Sequence, residues 1–418
     1  MLVVNARAER RAYPDSLKAL MSVERAEESR NWIADWSGVS CHATPLYDLP
    51  DLAARIGVAQ VWVKDESVRS DLGSFKALGA PIALVRLVMR LNADAQFDPA
   101  GLFRGAYRSR LDGFTVVSAT DGNHGKGLAA AARSIGCRCV IVLHANVSVE
   151  REAAIAEQGA RIVRIAGNYD ASVAEAARLA DVNGWHVVSD TSYPGYEIIP
   201  RDVMQGYGAV AAEVVEATRA QGDGAPAFSH VFLQGGVGGL AAGISSYFWE
   251  VFGEQRPTVV IVEPEQADCL YQSALTGVAE KATGSVDSIM AGLACGETSP
   301  LAWRFLATGA DCFMTIRDAD AIAAMQVLAA GSGRDIPIVS GESGAAGLAG
   351  LCALAADGAL AKVGVGRASR VLVINTEGAT APTVYRELVG ERAEDVLGRQ
   401  GAWARVACEA EAPAAPDR

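Results

Sequence analysis

Gln234-Gly235-Gly236-Val237-Gly238-Gly239-Leu240 follows the apolar run His230 to Leu233 and precedes an Ala- and Gly-rich stretch that can start a helix. A strand that ends in closely spaced glycines and runs on into a helix is the junction of an α/β unit. Without Cβ atoms the backbone N–H groups can converge, and the helix N-terminus adds partial positive charge, so this turn can cradle a phosphate. It lacks the lysine of a P-loop. It also fails the Gly-x-Gly-x-x-Gly test, because counting from Gly236 and Gly238 the last position is Ala241. A phosphate monoester suits it better than a dinucleotide; a tight strand-to-helix turn without a ligand is the plain alternative.

Outward from this turn, Val- and Ile-rich runs alternate with Ala-rich helical stretches. The strand-like runs are Val61 to Lys64, Thr115 to Ser118, Cys139 to Leu143, Arg161 to Ile165, Trp185 to Ser189, His230 to Leu233, Thr258 to Val262 and Arg370 to Ile374. Helices are predicted over Gly127 to Ile135, Val149 to Gln158, Ala171 to Val182, Val203 to Ala220 and Ala319 to Ala329, each with apolar residues near a 3.6-residue spacing. The alternation predicts an α/β fold with largely parallel sheets. Soft boundaries at Asn92 to Asp112 and Ala220 to Phe228 suggest a small domain, 92–228, inserted in a large domain formed by 1–91 and 229–418. The Ala-, Pro- and charge-rich tail from Glu409 to Arg418 is expected to be disordered.

With 418 residues, half of them hydrophobic, the chain can bury a large core. A net charge of -12 argues against a nucleic-acid partner, which calls for clustered Lys and Arg. No apolar run reaches the roughly 18 residues that span a bilayer, and the N-terminus lacks a signal-peptide core, so a cytoplasmic protein without a membrane partner is expected. Eight cysteines, at 41, 137, 139, 269, 295, 312, 352 and 408, contain no Cys-x-x-Cys pair, which indicates neither a zinc site nor a disulfide framework. Cys137 and Cys139, two apart in a strand-like run, read as core.

Two further segments can carry chemistry. Ser74-Phe75-Lys76 puts a lysine among apolar neighbours, where lost hydration is expected to lower its pKa and make it a competent amine for bonding to a carbonyl. Ser118-Ala119-Thr120-Asp121-Gly122-Asn123-His124-Gly125-Lys126-Gly127 lies between a strand and a helix, where α/β folds place ligands. Its hydroxyls, amide and backbone donors can hold a carboxylate. Asp121 fits there as a base or as the partner of a cation on the same ligand. Taken singly, Lys76 also reads as a surface lysine and His124 as a structural histidine.

Ser-x-Lys, then Gly-Asn-His-Gly, then a Gly-rich loop, then a late Thr: in that order these segments resemble the pyridoxal 5′-phosphate (PLP) enzymes of fold type II, the tryptophan synthase β class. More narrowly the chain is similar to the diaminopropionate ammonia-lyases, from about Asn31 to Gly378. Asp190-Thr191, Gly195-Tyr196, Ile199-Pro200, Met204-Gln205-Gly206-Tyr207, Met290 to Glu297, Ser340 to Gly344 and Asn375-Thr376-Glu377-Gly378 carry the likeness. The resemblance implies two open, twisted, mostly parallel sheets flanked by helices, PLP as cofactor, an amino-acid substrate and a homodimer. It implies that Lys76 anchors the cofactor, that Asn123 contacts the 3′-oxygen of the pyridine ring, that Gly235, Gly236, Val237, Gly238 and Gly239 hold the phosphate, and that Thr376 hydrogen-bonds the ring nitrogen. Phe75 and Glu342 complete the cofactor contacts. Ser118, Thr120, Asp121, His124 and Asp190 face the substrate, and Lys76, Asp121 and Asp190 are the expected catalytic residues.

The activity implied is elimination of 2,3-diaminopropionate, D or L, to pyruvate and ammonia. The second amine of this substrate suits the carboxylates of Asp121 and Asp190, whereas serine and threonine offer no such charge. As a loop carboxylate before Thr191, Asp190 also reads as a helix cap. Two positions depart from the family pattern. Ala379-Thr380-Ala381 stands where the family continues with Asp-Thr, and Lys126 stands in place of an arginine. PLP binding is left intact, and a dehydratase-type lyase on another β-substituted amino acid stays the alternative, beside a PLP-binding homologue without catalysis.

Overall fold

Val61, Trp62 and Val63 alternate between two separate cores, Val61 and Val63 on one face of a sheet and Trp62 on the other. The same two-residue period sends Val260, Val262, Val371 and Val373 to the first core and Val259, Ile261, Leu372 and Ile374 to the second. A sheet covered on both faces explains why these strands read as unbroken apolar runs. The computed structural model describes residues 1–411 apart from 121, 146, 168 and 222–223, without the side chains of 170 and 407–411.

Eleven strands are described: β1 Leu2–Val4, β2 Leu46–Asp48, β3 Gln60–Asp65, β4 Thr115–Ala119, β5 Arg138–Leu143, β6 Arg161–Arg164, β7 His186–Val187, β8 His230–Gln234, β9 Thr258–Pro264, β10 Cys312–Ile316 and β11 Arg370–Asn375. Seven form one sheet in the order β1-β10-β9-β8-β11-β3-β2, and four form a second in the order β6-β5-β4-β7. Only the edge strands β1 and β2 run antiparallel; the remaining pairs of both sheets are parallel. This is the α/β fold of two mostly parallel sheets that the sequence predicts. Every predicted strand and helix is present, with Trp185 to Ser189 reduced to the two residues of β7.

β1, β2 and β10 were not anticipated. The first two are three-residue edges, and β10, Cys-Phe-Met-Thr-Ile, has a single β-branched aliphatic residue, so its strand conformation follows from pairing with β9. The expected disorder of the tail also needs correction, because the helix Ala393–Glu411 reaches into its first residues; 412–418 lie outside the described residues.

The two sheets share a core. Val116, Ile141 and Leu143 of the small sheet join the cluster that holds Trp62, Leu233 and Ile374 of the large one. The helix Ile198–Thr218 packs against the helices Val23–Ile33, Gly79–Leu91 and Gly239–Phe252. Its approach is close enough to require glycine: a Cβ on Gly206 would lie 2.4 Å from the Leu78 carbonyl oxygen. That contact seats Tyr207, one residue on, above the segment that carries Lys76.

Candidate active site

Three segments singled out in the sequence emerge at the carboxyl end of a parallel strand. Gly235 follows β8, Thr376 follows β11, and Thr120 follows β4. Loops at these ends are free of the sheet and face one side, which is where open α/β sheets bind ligands.

Lys76 lies in the single 3-10 turn Phe75–Ala77, ahead of the helix Gly79–Leu91. The preceding residues are tied to the loop after β11: Ser74 pairs with Glu377, the Phe75 N–H donates to the Thr376 carbonyl at 3.0 Å, and the Gly378 N–H donates to Gly73 at 2.9 Å. The Phe75 ring packs edge-on against Tyr207 at 4.7 Å between centroids. So fixed, Lys76 directs its ammonium onto Oδ2 of Asp190, just beyond β7. The expectation of a lowered lysine pKa is corrected here. Burial is the largest single influence and does act in that direction, but the opposing influences, led by the Asp190 carboxylate, together outweigh it and hold Lys76 above the ordinary lysine range. Asp190 is pushed up by burial and more strongly down by Lys76 and His124, ending below the usual carboxylate range.

The helix Asn123–Ile135 opens with two candidate residues. Asn123 donates through Nδ2 to Glu377, which also accepts the Ser343 N–H at 3.2 Å. His124 is buried, with Nε2 2.9 Å from the Val188 carbonyl and Nδ1 3.8 Å from Asp190 Oδ2. Thr120 and Ser118 are buried as well, and the Ser118 hydroxyl has no hydrogen-bond partner among the described residues. Asp121 lies outside the described residues.

The glycine loop has the form of an anion cradle. Among the described residues no backbone acceptor meets the N–H groups of Gly236, Val237 and Gly238, and the helix Gly239–Phe252 begins at once with its own free donors. Gly238 has φ +99°, which favours glycine strongly. A Cβ on Gly236 would stand 3.2 Å from Cys295 Sγ and 3.3 Å from the Gly292 carbonyl oxygen. One on Gly239 would lie 3.8 Å from the Asp190 carbonyl oxygen, so this loop and the Lys76–Asp190 pair are neighbours. Gly235 serves a different end: its Cβ would run into Glu263 and Ile261 at 2.7 Å, and its N–H is spent on Val262.

Thr376 and Glu342 border the same loops, both buried. Burial, with Glu377 nearby, pushes the Glu342 carboxyl up to about 7, and Arg151 reaches it at 3.3 Å. Lys126 donates to the Leu72 carbonyl at 3.1 Å, and burial lowers its pKa.

Two residues of this region were not singled out as site residues. Glu377 anchors Asn123, and the buried Tyr207 hydroxyl has no hydrogen-bond partner among the described residues. Both stand in segments that carry the family likeness. A buried hydroxyl without a partner costs free energy unless a ligand or water completes it. Orphaned donors at Tyr207 and Ser118, a glycine cradle for a phosphate and an adjacent lysine together fit a phosphorylated aldehyde cofactor.

Comparison with known proteins agrees with that fit. The pattern of the pyridoxal-phosphate dependent enzyme family matches residues 40–377. Diaminopropionate ammonia-lyase of Escherichia coli strain K12 is 37% identical over 389 residues, covering 92% of this chain and 96% of that protein. The crystal structure of the holo diaminopropionate ammonia-lyase from Escherichia coli superposes with a TM-score of 0.84 at 37% identity, covering 93% of this chain and 96% of the other. The structure of that enzyme in complex with D-serine gives 0.83 at 37% identity over 94% and 98%. The chain therefore belongs to the fold type II pyridoxal-phosphate-dependent enzymes, with pyridoxal phosphate as its cofactor, and within them it is a homologue of the diaminopropionate ammonia-lyases.

Proposed function

We propose that the chain eliminates the β-amino group of 2,3-diaminopropionate, D or L, to give pyruvate and ammonia. One observation carries the reading: the carboxylate of Asp190 is held directly at the ammonium of Lys76, the lysine that follows the cofactor motif. A carboxylate at that point can take a proton from Cα and can attract the β-ammonium that distinguishes this substrate from serine and threonine. Asp121 is the second carboxylate by its place in the segment ahead of Asn123, and it serves the opposite face of Cα.

In this reading Lys76 anchors the cofactor, Gly236 to Gly239 hold its phosphate with Gly235 shaping the turn behind them, Asn123 contacts the 3′-oxygen and Thr376 the ring nitrogen. Phe75 and Glu342 line the cofactor, while Ser118, Thr120 and His124 border the substrate. Bound pyridoxal phosphate supplies an electron sink for the pair left at Cα. Asp190 or Asp121 takes the Cα proton, and the residues of the loop after β4 orient the substrate carboxylate. Loss of the β-amine leaves an enamine that water converts to pyruvate and a further ammonia.

The same reading includes a large domain of 1–91 and 229–418 with a small domain of 92–228, a homodimer and a cytoplasmic location. The four strands of the small sheet, all between 115 and 187, support the division. Among the described residues no helix is long and apolar enough to cross a membrane.

Pyruvate release from each isomer of diaminopropionate and from D- and L-serine, with 2-oxobutyrate release from threonine, tests the substrate. Diaminopropionate turned over at the highest kcat/KM supports the proposal. A second reading, a dehydratase-type lyase on another β-substituted amino acid, is favoured by Ala379 in place of the family's aspartate and wins if serine or threonine leads. No turnover of any of them leaves a PLP-binding homologue.

A further inference from the structure

We infer that His124 is the proton acceptor behind Asp190: a proton taken by Asp190 passes from its Oδ2 to Nδ1 of His124, restoring the carboxylate. The inference rests on the proposed role of Asp190 and concerns a residue otherwise placed only at the substrate's border.

The geometry fixes the tautomer of the ring. Nε2 lies 2.9 Å from the Val188 carbonyl oxygen, which can only accept, so Nε2 carries the hydrogen. In the neutral ring Nδ1 is then a bare lone pair. It is buried, has no hydrogen-bond partner among the described residues, and lies 3.8 Å from Asp190 Oδ2, the oxygen that Lys76 also reaches. Two acceptors therefore face each other across a gap that a proton on either one would close as a hydrogen bond. In the structure as it stands the Lys76 ammonium compensates the carboxylate. When the lysine nitrogen is engaged elsewhere, that compensation is lost and the buried pair is ready for one proton.

The step balances. The Cα–H bond breaks with its electron pair left on the substrate, and Oδ2–H forms. Oδ2–H then breaks and Nδ1–H forms, giving an imidazolium between the Asp190 carboxylate and the Val188 carbonyl. Among the described residues, the charged group acting on the ring besides Asp190 is Lys76, with the Tyr207 hydroxyl beside both of them. Burial and Lys76 hold the imidazole below its ordinary pKa while Asp190 raises it, so the ring is neutral and able to accept at neutral pH.

His124→Gln is the informative variant, because its amide can keep a donor toward Val188 while removing the basic Nδ1. On L-diaminopropionate it is expected to lose about tenfold to a hundredfold in kcat, within the range of general-base assistance. KM and cofactor absorbance should stay within about twofold of wild type, itself a small change in binding free energy. The wild-type kcat for this isomer falls on the acid side as His124 takes up a proton, and the variant loses that limb. Wild-type kcat in His124→Gln, or equal losses on both isomers together with cofactor loss, overturns the inference. Asp190→Asn run in parallel separates the two levels: an unimpaired L isomer there removes Asp190 as the base, whereas an impaired one beside an unimpaired His124→Gln removes the relay alone. Nitrogen-15 NMR of the imidazoles in the holoenzyme, with His124→Gln assigning the signal, tests the tautomer whatever the substrate; hydrogen on Nδ1 at neutral pH overturns the inference.

Discussion

The ammonium of Lys76 meets the carboxylate of Asp190 across 114 residues of sequence, joining the turn before the helix Gly79–Leu91 to the loop after β7. The pair stores Lys76, the lysine we propose anchors the cofactor, in its charged form. A charged amine cannot attack the aldehyde of pyridoxal phosphate, so Lys76 has to lose a proton before the cofactor bonds. Because the pair raises the lysine pKa, the reactive fraction is small at neutral pH and grows as pH rises. Cofactor uptake by the protein freed of PLP, followed by absorbance after rapid mixing, is expected to quicken with pH. Asp190→Asn removes the largest force that raises the pKa, and uptake at neutral pH should then be faster than in wild type. Slower or pH-independent uptake in that variant would show that the pair does not govern loading.

The glycine loop yields a second prediction. Gly236→Asp places a side chain where a Cβ would stand 3.2 Å from Cys295 Sγ, and adds a negative charge beside the backbone donors proposed to hold the phosphate. PLP affinity, measured by titration of the cofactor-free protein, is expected to fall at least about tenfold, equivalent to roughly 1.4 kcal/mol. Gly235→Ala should harm stability instead, since its Cβ meets Glu263 and Ile261 at 2.7 Å. Unchanged PLP affinity in Gly236→Asp would return the loop to a structural turn.

A third prediction concerns stereochemistry. If Asp190 and Asp121 serve opposite faces of Cα, Asp190→Asn should impair the L isomer most and Asp121→Asn the D isomer most. Each loss is expected at about 100- to 10,000-fold in kcat, with cofactor content retained. Equal, small losses on both isomers would leave the carboxylates as binding groups for the β-ammonium and call for another base.

These assignments differ in how far the sequence reaches them. Strands such as Val61 to Lys64 are legible because an unbroken apolar run buried on both faces needs no partner to be recognised. The residues at strand ends, Gly235, Thr376 and Thr120, are legible because strand-to-loop junctions are where α/β sheets put their sites. The direction of the Lys76 pKa was not legible. Local neighbours Phe75, Ala77 and Leu78 speak for desolvation, while the carboxylate that decides the sign lies far along the chain. Glu377 was missed as an anchor for Asn123 for the same reason: the contact spans 254 residues and joins the loop after β11 of the large sheet to the helix after β4 of the small one.

The buried cluster around Glu213 has no local sequence signature either, and it gives the last prediction. Glu213 projects from the helix Ile198–Thr218 and accepts from Lys64 of β3, from both terminal nitrogens of Arg69 at 2.8 Å, and from the Thr44 N–H at 3.1 Å. Glu66 takes Arg69 as well, at 2.8 Å through Nε. All four charged groups are almost fully removed from water, so two cations balance two carboxylates inside the protein. Glu213→Gln leaves Lys64 and Arg69 with one carboxylate between them. Breaking such a pair is expected to cost about 3–5 kcal/mol, because a buried charge is left without its counterion. One helical turn on, Glu216 accepts both terminal nitrogens of Arg30 at 2.6 and 2.7 Å, with its side chain 57% exposed. Solvent screens that pair, so Glu216→Gln should cost no more than about 1 kcal/mol. Equilibrium unfolding in urea, with all three proteins freed of PLP so that ligand binding does not shift the curves, measures the contrast. Equal losses for the two variants would mean that the Glu213 cluster is wetter than its burial implies, and that water rather than Glu213 carries the charges of Lys64 and Arg69.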